Sequence, residues 1–172
     1  MKLKRSIIIF PQFGKDTDLI QNIRYKYDPL ASKIAPHITL VFPFESEISS
    51  DALCQHIKTQ LEKLKPFSLT LQGISQEKGN YLFLNLIRGQ KQIVKIHDLL
   101  YKGILNQFLS NKHQYKPHLT VGRFEDFSAT KAAMNELKSF NHQLKTQVDK
   151  ITTEIILEDS FSKVDFAIEL TR

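Results

Sequence analysis

Two short stretches of this 172-residue chain carry residue types that can move protons, and they are copies of one pattern. Pro36-His37-Ile38-Thr39-Leu40-Val41 recurs as Pro117-His118-Leu119-Thr120-Val121-Gly122-Arg123, each with a histidine and a threonine two positions apart. An ordinary imidazole titrates near pH 6.5, so one of a pair can accept a proton while the other donates one at neutral pH. The threonine hydroxyls can donate hydrogen bonds to the oxygens of an anion without adding a charge that would repel a base. Two such pairs facing one another would make a complete set of groups for acid–base chemistry at an oxyanion.

The elements that carry them must be strands. Proline cannot continue a helix and keeps the residue before it extended, while the β-branched and aliphatic residues that follow favour a pleated conformation. Alternation then puts His37 and Thr39 on one face and Ile38 and Leu40 on the other; in the second copy His118 and Thr120 oppose Leu119 and Val121. Residues i and i+2 of a strand lie about 6.6 Å apart, so each copy offers one imidazole and one hydroxyl together.

Around these strands the pattern alternates between helix and strand. Ser6 to Phe10 reads as a buried strand closed by Pro11 and Gly14, followed by a helix over Asp16 to Tyr27 that packs through Leu19, Ile23 and Tyr27 and ends at Asp28-Pro29. The first motif strand is expected to run to about Phe42. Ser49 or Ser50 can cap a helix with Leu53, Ile57, Leu61 and Leu64 on its apolar face, stopped by Pro66. Phe67, Leu69 and Leu71, then Leu82, Leu84 and Leu86, mark a hairpin whose other face carries Tyr81, Phe83 and Asn85. Ile93, Ile96, Leu100, Ile104 and Phe108 predict one long helix from Gln90 to Leu109, in which His97 reads as a hydrogen-bonded packing residue. Ser128 can cap a short helix containing Ala133, Leu137 and Phe140, and strands are expected over Leu144–Leu157 and Val164–Leu170. One compact α+β domain over residues 1–172 is the simplest account.

Composition sets the class without naming a reaction. With 41% hydrophobic and 24% charged residues the chain reads as an ordinary soluble globule. A net charge of +6 favours an anionic partner, although the lysines are scattered. One cysteine, Cys54, permits no intramolecular disulfide and fits a reducing compartment, and no segment approaches the roughly 20 apolar residues of a membrane helix. The apolar run after Lys4-Arg5 is too short for a signal peptide, so a cytoplasmic location is expected. Two histidines without further ligands make a poor metal site, so neither a metal nor another cofactor is expected. No glycine-rich phosphate loop is present.

The paired motifs resemble the His-x-Thr-x motifs of the 2H phosphoesterase superfamily, the group of 2′-5′ RNA ligase-like proteins and cyclic nucleotide phosphodiesterases. Phe42 and Arg123, each five positions after its histidine, are similar to the aromatic and the arginine found there in many members, and the motif spacing of half the chain also fits. Tyr25-Lys26-Tyr27-Asp28-Pro29 most resembles a small bacterial branch of phosphoesterases. Phe44-Glu45 departs from the Leu-Gly pair common after the aromatic, which bears on the turn leaving the first motif strand. The resemblance implies a bilobal α+β fold with pseudo-two-fold symmetry, antiparallel sheets lining a central groove and helices outside. It further implies metal-independent opening of a 2′,3′-cyclic phosphate, or making and breaking of a 2′-5′ linkage, in RNA or nucleotides. In that picture His118 is the base and His37 the acid, while Thr39, Thr120 and Arg123 hold the phosphate. The implied partners are RNA ends or a small cyclic-phosphate nucleotide, with stacking candidates Phe42, Tyr81, Phe83 and Tyr115, and a monomer is the expected state. The alternative is a non-catalytic nucleotide- or RNA-end-binding module of the same fold.

Overall fold

The computed structural model describes residues 2–110 and 114–171. Eight strands form one curled antiparallel sheet: β1 (Leu3–Ile9), β2 (Ile38–Ser46), β3 (Phe67–Glu77), β4 (Tyr81–Arg88), β5 (His118–Arg123), β6 (Leu144–Val148), β7 (Lys150–Ile156) and β8 (Ser162–Glu169), ordered β6-β3-β4-β5-β2-β1-β7-β8. Read from either edge the order is symmetric. The half β5-β4-β3-β6 maps onto β2-β1-β7-β8, and the two motif strands meet at the centre, joined around the pair Ile38 and Leu119.

Four helices cover the apolar face: α1 (Asp16–Tyr27), α2 (Ser50–Leu61), α3 (Gln90–Leu100) and α4 (Phe127–Leu137). They interlock the halves. α1 leaves β1 but packs on β5 of the other half, and α3 leaves β4 but packs on β2, so neither half buries its apolar face alone. Ile38, Leu40, Leu119 and Val121 all lie in the resulting core and are fully buried or nearly so.

The local chemistry explains most boundaries. The Ser49 hydroxyl accepts from Ala52 N–H at the start of α2, and Leu53, Ile57 and Leu61 form its buried face as expected. The β3–β4 hairpin turns through Gly79 and Asn80, both at positive φ. Several expectations are corrected. α1 buries Ile20 and Arg24, while Leu19 lies exposed. The long helix expected to Leu109 stops at Leu100: Gly103 adopts φ +55°, and a short 3₁₀ turn over Gly103–Phe108 follows. Asp126, not Ser128, caps α4 by accepting from Ala129 N–H. The stretch from Leu144 to Leu157 is two strands broken at Asp149, one pairing with β3 and the other with β1. β2 continues past Pro43 to Ser46, because Pro43 sits at a bulge opposite β1, where no ladder donor is needed.

Since Leu119 is fully buried at the strand junction, Leu119→Ala is expected to cost about 2–5 kcal/mol in urea unfolding, against near-neutral replacement of an exposed strand residue such as Lys150.

Candidate active site at the junction of the motif strands

The antiparallel register around Ile38 and Leu119 sets Thr39 opposite His118 and His37 opposite Thr120. Each imidazole therefore neighbours the other copy's hydroxyl. The two histidines lie diagonally across the junction, a relation that in a regular ladder sets residues about 7–8 Å apart, with their Cβ atoms somewhat closer.

Both imidazoles are held alike. His37 Nδ1–H donates to the Ala35 carbonyl at 2.9 Å and His118 Nδ1–H to the Lys116 carbonyl at 2.7 Å, each acceptor two residues upstream across a proline. A carbonyl can only accept, so the proton is on Nδ1 and the Nε2 lone pair remains available in the neutral ring.

A second shared feature is a bulge at the same motif position. Against β1, Val41 pairs with Ile7 and Thr39 with Ile8, leaving Leu40 over; against β4, Gly122 pairs with Leu82 and Thr120 with Phe83, leaving Val121 over. Each extra residue lies three after its histidine. It shifts the alternation by one, so two successive residues, Leu40-Val41 and Val121-Gly122, turn to the core. Strict alternation would set Arg123 with Leu119 and Val121. With the bulge it joins His118 and Thr120, and its charge acts on both imidazoles. Phe42 occupies the equivalent place in the first copy and is exposed at the groove mouth.

The surroundings of the two histidines differ. Burial lowers the pKa of His37 to about 4, opposed chiefly by the hydrogen bond to the Ala35 carbonyl; the cations Arg24 and Arg123 add smaller lowering effects and Asp28 a smaller raising one. His118 is also lowered, chiefly by burial and then by Lys116 and Arg123, with its carbonyl bond and Glu77 opposing. Its ring stacks on Phe83 with centroids 3.6 Å apart and planes 9° from parallel, whereas His37 meets only the edge of Phe10 at 6.4 Å. Asn85 pairs opposite His118, and the Ser75 hydroxyl lies within hydrogen-bond distance of Asn85 Oδ1 and of Glu77 Oε1, donating its one proton to either.

Not every candidate faces the groove as a free surface. The Tyr115 ring lies flat on His97, centroids 3.7 Å apart, and its hydroxyl donates to the Thr39 carbonyl. His97 Nδ1–H donates to the Leu40 carbonyl, and Phe42 N–H donates to the Tyr101 hydroxyl. These three side chains serve the backbone of β2 where its bulge interrupts the ladder, so His97 is the hydrogen-bonded packing residue expected. Phe83 has one face covered by His118, which leaves Phe42 as the most exposed of the four stacking candidates. Sequence reasoning missed Arg24 and Asp28, which reach the site from α1.

A curled antiparallel sheet bearing two pseudo-symmetric His–Thr pairs in a groove is the architecture of a 2H phosphoesterase. The family model of the 2′-5′ RNA ligase superfamily matches residues 11–158, and the chain belongs to that family. Proteins classed as phosphoesterases from Bacillus licheniformis and Bacillus cytotoxicus are each 28% identical to it, over 124 and 123 residues; the aligned stretch covers 70% of this chain in both cases, and 71% and 70% of the respective relative. Among solved structures, Escherichia coli LigT complexed with 3′-AMP superposes with a TM-score of 0.68 over 100% of both chains at 15% identity. TT0787 of Thermus thermophilus gives 0.64 over 98% of both chains at 11% identity. These two share the fold. Among the described residues, no helix is long and apolar enough to cross a membrane.

The depressed pKa of His37 has a measurable consequence. Between about 4 and the ordinary 6.5 the unfolded chain binds more protons at this residue than the folded one, so stability falls as pH is lowered through that window. Imidazole C–H resonances should give a His37 midpoint near 4, and His37→Gln should flatten the loss of stability between pH 6.5 and 4. A midpoint at or above 6.5 would contradict the electrostatic description.

Proposed function

We propose that this protein is a metal-independent phosphodiesterase that opens 2′,3′-cyclic phosphates at RNA ends or on nucleotides, or makes and breaks 2′-5′ linkages. The observation that carries this reading is the crosswise placement of two His–Thr pairs at one strand junction, each imidazole anchored through Nδ1 with Nε2 left for chemistry.

In hydrolysis a neutral imidazole takes a proton from the attacking water. The new P–O bond forms as the bond to one ribose oxygen breaks, and the second imidazole, protonated at Nε2, gives that oxygen its proton. Thr39 and Thr120 donate to the non-bridging oxygens, and Arg123 offsets the negative charge that grows on them. His118 serves as base and His37 as acid, roles that exchange in the reverse direction. The acid role needs a protonated His37, which burial and, less strongly, Arg24 and Arg123 disfavour in the free protein. A bound phosphodiester anion placed beside the buried imidazole favours its protonated form and offsets the arginine charges, which raises His37 toward the acid role once substrate is in place. The LigT structures complexed with ATP, 3′-AMP and NADP+ support a nucleotide as the ligand class.

The test is product analysis after incubating EDTA-treated protein with a short RNA ending in a 2′,3′-cyclic phosphate. Conversion to one monophosphate isomer is expected, falling about 10²–10⁴-fold in His37→Ala and in His118→Ala. Binding of nucleotide with no turnover at any pH would replace the enzyme by a binding module.

A further inference from the structure

The groove does not hold Arg123 by itself. Asp28, the residue that closes α1, reaches across from the other half of the sequence and pairs with Arg123 Nη1. Its carboxylate is fully buried and has four partners. Oδ2 accepts from Arg24 Nε at 3.0 Å and lies 2.9 Å from Arg24 Nη2; Oδ1 accepts from Leu30 N–H at 3.0 Å and from Arg123. Arg24 is itself almost fully buried, with Nη1 donating to the Ile34 carbonyl and to Gln21 Oε1. Arg123 remains 24% exposed, and with one of its five donors given to Asp28 it still has others to present to an anion.

The same buried group shapes the approach to His37. The Asp28 carbonyl accepts from Ala31 N–H, its carboxylate holds Leu30 N–H, and Arg24 holds the Ile34 carbonyl. Those contacts fix the turn leading to Ala35, whose carbonyl orients His37. Asp28 thus touches the seating of a histidine from one motif and of the arginine from the other.

Pseudo-symmetry argues against an incidental ion pair. The residue closing α3 is Tyr101, and its hydroxyl accepts from the backbone N–H of Phe42, five after His37. The residue closing α1 holds Arg123, five after His118. In both halves the end of the helix that crosses over secures the same position of the other half's motif strand. In the first half this holds backbone; in the second it holds a charged side chain aimed at the groove.

We propose that Asp28 is a positioning residue for the reaction, setting the guanidinium of Arg123 against the phosphate while Arg24 holds the carboxylate in place. This rests on the phosphodiesterase reading. A buried carboxylate between two arginines leaves one net positive charge facing the groove, and it limits Arg123 to one geometry. That keeps its donors aligned with oxygens whose charge rises in the transition state.

The experiment is a four-protein cycle of wild type, Asp28→Asn, Arg123→Ala and the double variant. It is read twice: turnover of 2′,3′-cyclic AMP, and binding of inorganic phosphate. Asp28→Asn should lower kcat about 10- to 100-fold with a smaller change in KM, and should weaken phosphate binding. In the Arg123→Ala background the same substitution should leave phosphate binding unchanged and cost far less turnover, the small remainder reaching His37 through the turn before Ala35. Equal losses in both backgrounds would show a merely structural role and overturn the proposal. Unchanged turnover, or tighter phosphate binding in Asp28→Asn, would overturn it as well. If wild type binds phosphate but turns over nothing, the phosphodiesterase reading falls, while the binding cycle still decides whether Asp28 acts through Arg123. Should Asp28→Asn fail to fold, with Arg24 left as an unpaired buried cation, Arg24→Gln combined with Asp28→Asn removes both charges and enters the cycle in its place.

Discussion

The antiparallel contact of β2 with β5 around Ile38 and Leu119 is the constraint on which the groove depends. It is a short contact, and it is sustained by what lies beneath it: two fully buried aliphatic side chains, and helices that cross from each half to cover the other. Because a strand's side chains alternate, a one-residue slip of either strand at this junction would carry its histidine and threonine from the groove to the core. Apolar burial on one face therefore sets the register that puts the two histidines and two threonines on the other. The site inherits its precision from the core.

The two bulges add what a regular ladder could not. By inserting Leu40 and Val121 they let His, Thr and the residue five after the histidine share one face, and they bend the strands where the groove curves. The interrupted ladder leaves backbone groups that need partners. His97, Tyr101 and Tyr115 supply them for β2, which explains a buried histidine and two tyrosine hydroxyls beside the groove that are given to backbone groups. The halves then diverge in function: one places an aromatic ring at the mouth, the other a guanidinium held by a buried acid. The two imidazoles also sit in unlike surroundings, His118 stacked on Phe83 and His37 edge-on to Phe10.

Much of this was legible in the sequence, because the informative residues are local. Proline before a β-branched run, the repeated His-x-Thr spacing and the helical stripe of α2 each depend on near neighbours, and His97 could be read as packing from its place on an apolar stripe. What could not be read depends on distant ones. The bulges are invisible to a strict period of two, so the face of Arg123 was not derivable. Asp28 before Pro29 looked like a helix stop, since its partner Arg123 lies 95 positions away. The break at Gly103 was masked by Ile104 and Phe108 continuing the helical spacing, and the crossing of α1 and α3 between halves follows from which sheet face each must cover. The expected turn at Phe44-Glu45 is instead strand: β2 runs on to Ser46 paired with β1, and Phe44 packs on Phe108 with ring centroids 4.8 Å apart.

The central claim is that two halves of the chain make one catalytic unit, and its most direct test is the additivity of losses on a 2′,3′-cyclic mononucleotide. If His37 and His118 act in one concerted transfer, the double variant His37→Ala/His118→Ala should lose little more than the worse single variant. Losses that multiply, each histidine contributing independently of the other, would contradict the account.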